Sequence, residues 1–469
     1  MKNENRIEAK PAKRFFVEML TRDIDLDDAI LDLIDNSLDG LLRVTKANIE
    51  EYKNHTIEIN INKDKFEIKD NCGGIPTKVA QEYAFRMGRP VGEIDNDVPT
   101  IGMYGIGMKR AVFKMGTAIK IVSQNDERCF SVDIPNTWLQ DDDAWELEMN
   151  DCTKGLDQQG TIISVESLYP GISTLYSDTS DFIGRLMEKI SIHYAFVLKH
   201  GFNILINEKP IVGKEISLLI DNAEETITNK KGILPFVYKE NDNGLEITII
   251  CGLADAPPSL EEDMEDAETA KVNRMDAGWT IICNDRVVLY ADRTRLTGWG
   301  DGLPQFHYQF NTLIGIVSFK SNIASKLPVT TTKRGVDASS DVYLRIRRRM
   351  IEGMRLFVDY TNKWKNKRET ERQTILPKAK SETLDNLIDS DTFAEKMVTV
   401  RDGTEGKLYK PKLPEPDRED DGVRTVKYSE HKDNIEKIAE DYFENKDLSP
   451  SDVGKKCFEV ILAQVTEDK

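Results

Sequence analysis

Apolar residues recur at helical spacing over residues 25–41, and this periodicity predicts an amphipathic helix near the start of the chain. The apolar positions gather on one side of the helix, while Asp32, Asp35, Asn36 and Asp39 gather on the other. A polar ridge of this kind is most often a solvated helix face. Its chemistry therefore depends on what the rest of the chain places beside it.

Alternating apolar and polar positions after this helix predict a sheet. HTIEININ, from His55, and KFEIKD, from Lys65, are separated by a short polar link and predict a hairpin. Four further strands are predicted at AIKIVSQ, CFSVDIP, AWELEM and GTIISVESL. A helix that precedes hairpin-linked strands indicates an α+β sandwich with a mostly antiparallel sheet.

A second α/β block is predicted to open with a helix over 180–199 and to close near residue 340. Its strands are predicted at FNILIN, GILPFVYK, EITIICGL, WTIICNDRVVLY and IGIVSF, with an exposed acidic insertion from Ser259. A long helix rich in Arg and Lys follows, then a charged, Pro-rich linker and two short helices. The predicted divisions are 1–170, 171–340, 341–375 for the basic helix, 376–430 for the linker and 431–469 for the C-terminal helices.

Composition narrows the range of functions. The chain has 469 residues, a net charge of −18 and six scattered cysteines without a C-x-x-C pair. This spacing argues against a zinc site or a disulfide framework and suits a reducing compartment. The N-terminal stretch has no apolar signal core, and there is no apolar run long enough to span a membrane. We therefore expect a cytoplasmic protein that would need a local basic patch to contact nucleic acid.

Four separated elements carry candidate chemistry. The ridge offers oxygen ligands that suit Mg²⁺. Asp70 ends a predicted strand before Gly73 and Gly74, where an acceptor and an exposed backbone can meet a flat ring bearing an amine. GMYGIGMK, from Gly102, enters a helix whose N–H groups favour phosphate. Gly160 precedes a hydroxyl on Thr161. The glycine loop fits neither a P-loop nor a dinucleotide-binding fingerprint.

In this order and spacing, DLIDNSLDG, DNCGGIP, GMYGIGMK and GT resemble the motifs of the GHKL superfamily, which includes gyrase B, heat-shock chaperones, histidine kinases and MutL. The glycine loop is most similar to the microrchidia (MORC) and MutL-like branch. The resemblance implies a Bergerat α/β sandwich that binds ATP and Mg²⁺. More faintly, ICNDRVVLY and TTTKRGVD resemble a ribosomal-fold transducer domain, with a helical C-terminal extension after it.

The resemblance also implies roles for individual residues. Asn36 would hold Mg²⁺, and Asp70 would accept a hydrogen bond from the adenine amino group. Asp32 would be the general base, and Lys333 would contact the γ-phosphate from the second domain. The remaining nucleotide-binding positions would be Gly74 beside the ring, Thr161 supporting Asp70, and Gly102, Gly105, Gly107 and Lys109 in a lid that closes on the phosphates.

Asp32 departs from the family pattern, because the general base there is normally glutamate. Its carboxylate reaches about 1.5 Å less far, and a misplacement of about 1 Å can cost on the order of 10²-fold in rate. Two alternatives follow: a slow ATPase whose chains dimerise when ATP binds, or a non-hydrolysing ATP-gated clamp. Asp35 is expected to support the site from outside it, and Cys72 to be a small buried side chain.

The sequence indicates two candidate surfaces for partners and does not decide what either one binds. The basic stretch 345–372 is either a solvated face that pairs with acidic residues or a patch for DNA. The last helix, over residues 451–466, has an apolar side that suits packing, dimerisation or a protein partner. The five histidines lack metal-ligand spacing and lack the phosphoacceptor pattern of a histidine kinase.

Overall fold

The computed structural model forms two compact units, Met1–Pro416 and Asp417–Lys469. The predicted acidic insertion, residues 87–97 before the predicted lid, residues 103–104 within it and the C-terminal part of the basic helix lie outside the described residues. The structure describes residues 13–86, 98–102, 105–142, 145–177, 179–221, 232–257, 276–364, 379–388, 393–400, 406–414 and 429–467.

The first sheet has eight strands within the described ranges, in the order β5-β4-β3-β6-β2-β1-β7-β8. The predicted hairpin forms as β1 and β2, with Ile59 opposite Ile68. The AWELEM run forms a strand only from its last residue, Met149, and the Glu146 carbonyl within it accepts a hydrogen bond from the Trp138 indole. The strands are β1 (Thr56–Asn62), β2 (Lys65–Asp70), β3 (Gly116–Gln124), β4 (Cys129–Ile134), β5 (Met149–Asp151), β6 (Gly160–Leu168), β7 (Asn203–Ile206) and β8 (Lys209–Pro210).

Helices cover this sheet, and α2, the helix that carries the polar ridge, packs against it. Leu33, Ile34 and Leu41 are fully buried in the same core as Ile57 and Ile59 of β1. Burying a side chain of this size contributes roughly 1.5–3 kcal/mol. The helices are α1 (Lys13–Arg22), α2 (Leu26–Thr45), α3 (Thr77–Val79) with a π-turn at Ala80–Ala84, α4 (Gly107–Met115), α5 (Asn136–Gln140), α6 (Pro170–Ser177), α7 (Thr179–His193) and α8 (Ala195–Lys199).

The second sheet has the order β13-β12-β14-β11-β10-β17-β16 among the described residues. A separate two-stranded sheet pairs β9 with β15. The strands are β9 (Ser217–Ile220), β10 (Phe236–Asp242), β11 (Leu245–Leu253), β12 (Gly278–Cys283), β13 (Arg286–Asp292), β14 (Leu313–Lys320), β15 (Lys380–Thr383), β16 (Val398–Thr399) and β17 (Lys407–Tyr409).

The basic helix forms as α9 (Asp341–Trp364) and packs on this second sheet. Its apolar side, including Met350, Met354 and Phe357, is fully buried. Gly353 permits the close approach, because a Cβ there would lie 2.5 Å from the Phe236 ring. Short 3₁₀ helices connect the elements at Ile49–Asn54, Arg295–Thr297, Tyr308–Phe310, Ala324–Lys326 and Ala394–Lys396.

The predicted linker contains more structure than its composition indicated. Strand β17 pairs with β10, placing Leu408 opposite Tyr238. Helix α10 (Leu384–Ile388) buries Leu387 and Ile388 against the second sheet. These elements are short and lie among charged residues, so apolar periodicity could not reveal them.

The C-terminal unit contains α11 (Lys432–Asp441) and α12 (Pro450–Glu467). Val453 of α12 and Ala439 of α11 are buried, but Ile461 and Val465, which the sequence placed on the same apolar side as Val453, are exposed. No helix in the described ranges is both long and apolar enough to cross a membrane.

Candidate functional site

A single cavity contains all ten residues chosen from the sequence. It lies between α2, the turn after β2, the start of α4 and the start of β6, and a loop of the second α/β block closes one side. Ile75, Pro76 and Val79 add an apolar wall near Asp70. The ten residues are Asp32, Asn36, Asp70, Gly74, Gly102, Gly105, Gly107, Lys109, Thr161 and Lys333.

The ridge of α2 is less open than the sequence indicated. Asp32, Asp35 and Asp39 are buried, with 2%, 1% and 5% of their surfaces exposed, whereas Asn36 is exposed at the cavity. Carboxylates are buried at this depth only when they are paired or hydrogen-bonded. Each of the three accordingly has a specific partner, and those partners define the site.

Arg110 is the partner of Asp32, and the sequence reasoning missed it. Its Nε and Nη2 atoms both donate to Asp32 Oδ2, with Nε at 3.2 Å. The other oxygen, Oδ1, lies 3.9 Å from Lys333 Nζ. Gly107 passes close by, since a Cβ there would be 3.3 Å from Asp32 Cβ. One oxygen of the predicted base is therefore committed to an arginine.

Asp70 anchors the opposite end of the cavity through three donors. The N–H groups of Cys72 and Thr161 donate to Oδ1 at 2.9 and 3.3 Å, and Ser37 Oγ donates to Oδ2 at 2.8 Å. Burial raises the pKa of Asp70, and these hydrogen bonds partly oppose that rise. Cys72 is buried, and burial raises the pKa of its thiol well above the usual value, as expected for a structural cysteine.

The glycine turn is required by packing as well as by the cavity. Gly74 has φ +71°, and a Cβ there would lie 2.1 Å from the carbonyl oxygen of Gln124 in β3. The next residue, Ile75, donates its N–H to Ser123 Oγ at 2.8 Å, and that hydroxyl lies 3.1 Å from Thr161 Oγ1. The turn is thereby fixed to two strands, and Thr161 acts on Asp70 through its backbone N–H.

Asp39 holds the start of the predicted lid. Its two oxygens accept from the N–H groups of Ile101 and Gly102 at 3.0 and 2.9 Å. Farther along, Gly105 has φ +65° and α4 begins at Gly107. Residues 103–104 of the predicted lid, and residues 87–97 before it, lie outside the described ranges.

Lys109, which lines the cavity, is hydrogen-bonded to the protein backbone. Its Nζ donates to the carbonyl oxygen of Ala84 at 2.8 Å. Burial lowers its pKa from 10.5 to about 8, because the charged form loses solvation. A contact between Lys109 and phosphate would require this hydrogen bond to break.

Lys333 is also held by a protein group. Its Nζ donates to Asp35 Oδ2 at 3.1 Å, and its backbone has φ +57°, which is uncommon for a side chain other than glycine. The other Asp35 oxygen, Oδ1, accepts from Arg286 Nε at 2.9 Å and from the Tyr194 hydroxyl at 2.7 Å. The expected γ-phosphate ligand is therefore paired with the ridge helix.

Further contacts join the second α/β block to the cavity. Asn284 Nδ2 donates to the carbonyl of Thr100, beside the lid, at 3.0 Å. Arg334 Nε lies 2.7 Å from Asp28 Oδ1 at the start of α2. Asn284 lies in the β12–β13 turn and Arg286 begins β13, and both belong to the ICNDRVVLY segment that resembles a transducer domain. That resemblance was the only sequence signal for either residue.

Comparison with known protein families indicates the kind of domain that forms this cavity. The family model for histidine kinase-, DNA gyrase B-, and HSP90-like ATPases matches residues 24–158. The chain carries a GHKL-type ATPase domain. The match begins just before α2 and ends just before Thr161, and it confirms the superfamily predicted from the motifs. The α+β class is confirmed with it. A search of curated proteins found no significant match.

The residues that line the cavity fit a purine nucleotide and a hard cation. Asp70 supplies a half-buried acceptor beside the apolar wall, which suits an aminated flat ring. Lys109, Arg110 and Lys333 supply positive charge at the other end, near the N-terminus of α4, which suits phosphates. Asn36 lines the cavity with an exposed amide side chain, and an amide oxygen is a ligand that suits Mg²⁺.

A cluster of three acidic residues in the GHKL domain is better explained by ion pairs than by a metal. Asp25, Asp27 and Asp28 are grouped at the start of α2. Lys189 pairs with Asp27 and lies 3.6 Å from Asp28 Oδ1, and Arg334 lies 2.7 Å from that same oxygen. These two cations already pair with two of the three carboxylates.

Proposed function

We propose that this protein binds ATP with Mg²⁺ in the α2–α4 cavity, hydrolyses it slowly, and uses the nucleotide to drive dimerisation of its N-terminal domains and a change in conformation. The observation that carries the proposal is the convergence of ten residues, taken from four motifs and a distant loop, on one cavity. Assignment to the MORC/MutL-like branch rests on the similarity of the glycine loop.

The proposed chemistry assigns a task to each end of the cavity. Asp70 accepts from the adenine amino group, and Asn36 holds Mg²⁺ together with phosphate oxygens. Bound Mg²⁺ supplies charge neutralisation at the phosphates. Asp32 accepts the proton of the attacking water through Oδ1, because Oδ2 is occupied by Arg110. Lys333 leaves Asp35 to stabilise the charge that develops on the γ-phosphate.

Turnover assays on the full chain test this assignment. Asp32→Ala and Asn36→Ala should each reduce ATP turnover by about 10²-fold or more. Asp133→Ala is a matched control, because Asp133 is an exposed carboxylate on β4, away from the cavity lining. Turnover in both site variants equal to that of the control would reject the site. Dimer mass measured with and without a non-hydrolysable ATP analogue tests the switching part.

One observation favours a second candidate function, an ATP-gated clamp with negligible hydrolysis. The short carboxylate of Asp32 is bound by Arg110, so a water molecule has access to only part of it. Tight ATP-dependent dimerisation without release of phosphate would select the clamp. Phosphate release that disappears in Asp32→Ala would select the ATPase.

DNA association through the basic helix is the weaker extension of either function. Arg345 lies 2.6 Å from Glu240 and 2.8 Å from Asp242, while Arg347 lies 2.6 Å from Asp301. These arginines form ion pairs with acidic residues of the same chain. For the described part of the helix, this pairing supports the interpretation of a solvated face. Steeply salt-dependent DNA binding that is lost on reversing Arg348, an exposed residue of α9, would support DNA contact instead.

The C-terminal unit supplies an apolar surface for the proposed protein partner. Phe458, Ile461, Leu462 and Val465 recur at helical spacing on α12 and are 60%, 57%, 52% and 59% exposed. Contiguous exposed apolar residues are typical of interaction sites. Co-purification of the full chain and of an Ile461→Lys variant would show whether this surface retains a partner.

A further inference from the structure

Asp35 is a buried carboxylate with three different donors. Oδ1 accepts from Arg286 Nε at 2.9 Å and from the Tyr194 hydroxyl at 2.7 Å, whereas Oδ2 accepts from Lys333 Nζ at 3.1 Å. All four side chains are nearly inaccessible, with exposed fractions of 1% for Asp35, 1% for Arg286, 0% for Tyr194 and 8% for Lys333. One oxygen thus belongs to a fixed support and the other to the proposed phosphate ligand.

The groups around Asp35 allow its ion pair with Lys333 to separate. Burial disfavours the ionised carboxylate, but Arg286, Lys333 and Arg334 outweigh burial and hold the pKa of Asp35 well below its usual range. When Lys333 leaves, Arg286 and Tyr194 still satisfy Oδ1. Lys333 can therefore exchange a carboxylate for a phosphate without leaving Asp35 as an isolated buried charge.

We propose that Asp35 is a positioning residue that competes with the γ-phosphate for Lys333, and that Tyr194 and Arg286 hold Asp35 in place for this exchange. The inference rests on the proposed function and deepens it. It makes Asp35 a determinant of selectivity for nucleoside triphosphates over diphosphates, because only the γ-phosphate is the proposed acceptor of Lys333.

The same contacts explain how the second α/β block would sense the exchange. Tyr194 lies between α7 and α8, and Arg286 begins β13. Arg286 also donates through Nη1 to the carbonyl of Val287 at 2.7 Å, and His193 Nδ1 lies 2.6 Å from that same oxygen. A movement of Asp35 or Lys333 would therefore act directly on the contacts of Tyr194, at the junction of α7 and α8, and of Arg286, at the start of β13.

Asp35→Asn changes this arrangement at one atom. The amide oxygen can keep the place of Oδ1 and accept from Arg286 and Tyr194. The amide nitrogen then faces Lys333 Nζ, and two donors cannot bond. Lys333 is released, so the full-length variant should bind a non-hydrolysable ATP analogue about tenfold more tightly, while its affinity for ADP changes by less than about twofold.

A double-mutant cycle separates positioning from simple structural support. Lys333→Met should weaken binding of the triphosphate analogue, and adding Asp35→Asn to it should produce no further change. Asp28→Asn is the matched control: it breaks a contact from the same helix to the neighbouring Arg334 but leaves Lys333 alone. It should leave the ratio of triphosphate to diphosphate affinity at its wild-type value.

Tyr194→Phe covers the case in which Asp35→Asn does not fold, since it removes one hydroxyl from a buried position. It should make Asp35 depend more on Lys333 and weaken analogue binding by about two- to threefold, again only when Lys333 is present. The inference is overturned if these variants alter ATP and ADP affinity equally or keep their effect beside Lys333→Met. If the wild-type protein binds neither nucleotide, the proposed function itself has failed.

Discussion

Arg110 donates to a single oxygen of Asp32 through both Nε and Nη2, and both side chains are buried, with 7% and 2% of their surfaces exposed. The arginine immediately follows the lysine of the glycine-rich segment. It therefore connects the helix after the lid to the predicted base. Two buried charges in direct contact depend on each other strongly.

A stability cycle tests that dependence. Arg110→Met and Asp32→Asn should each destabilise the protein by about 3 kcal/mol, because each leaves the other group buried without its partner. The double variant should recover at least about 1 kcal/mol of the summed loss. Urea unfolding of the four proteins measures the coupling, and strictly additive losses would contradict a direct ion pair.

The glycine turn gives a prediction about backbone packing. Gly74→Ala places a Cβ 2.1 Å from the Gln124 carbonyl at φ +71°, so it should destabilise the protein by about 1–3 kcal/mol and impair nucleotide binding. Gly184→Ala is the control, because nothing lies within 4 Å of a Cβ at that exposed position of α7. That change should stabilise the protein by about 0.5–1 kcal/mol. Equal thermal shifts for the two variants would refute the turn geometry.

Lys109 predicts a pH dependence of nucleotide binding. Its pKa in the ligand-free protein is lowered to about 8 by burial. A bound phosphate favours the ammonium form, so binding above pH 8 should take up a proton and affinity should fall as pH rises further. Calorimetric titrations in buffers of different ionisation enthalpy measure the uptake. Lys109→Met should abolish it, and unchanged uptake in that variant would assign the proton elsewhere.

The lowered pKa of His193 predicts that the folded protein loses stability in mild acid. Burial first, then Arg286 and Arg334, lower its pKa from 6.5 to about 2, so the unfolded chain binds a proton that the folded chain does not. Stability from this residue is present above pH 6.5 and declines as pH falls below it, by about 1.4 kcal/mol per pH unit. Urea midpoints at pH 7.5 and 5.5 measure this decline. His193→Asn should reduce it, whereas an unaltered decline would show that another group titrates.

Local patterns predicted the parts of the fold that depend on nearby residues. The hairpin of β1 and β2 and the buried side of α2 follow from alternation and helical periodicity, which the burial of Ile59 and Leu33 satisfies. The four motifs placed their residues at one cavity, because a cation ligand, a ring acceptor and a phosphate-binding helix start are each recognisable in a few residues.

The features that the sequence did not predict depend on contacts between residues far apart in the chain. Nothing in the periodicity of α2 shows that Asp35 meets Tyr194 and Arg286, which lie 159 and 251 residues farther along the chain. The ridge was consequently interpreted as more open than it is. Lys109 and Lys333 were placed on phosphates, whereas their hydrogen bonds in this structure go to Ala84 and Asp35. Those roles stay predictions for the nucleotide-bound protein.

Nucleotide titration of the full chain and of Asp70→Asn tests the central claim most directly. In the variant, the amide oxygen can still accept from Cys72 and Thr161, which leaves the amide nitrogen facing Ser37 and the adenine amino group. The wild-type protein should bind a Mg²⁺-bound non-hydrolysable ATP analogue, and Asp70→Asn should bind it at least about tenfold more weakly. No binding by the wild-type chain, or equal binding by both proteins, would contradict an adenine nucleotide site in this cavity.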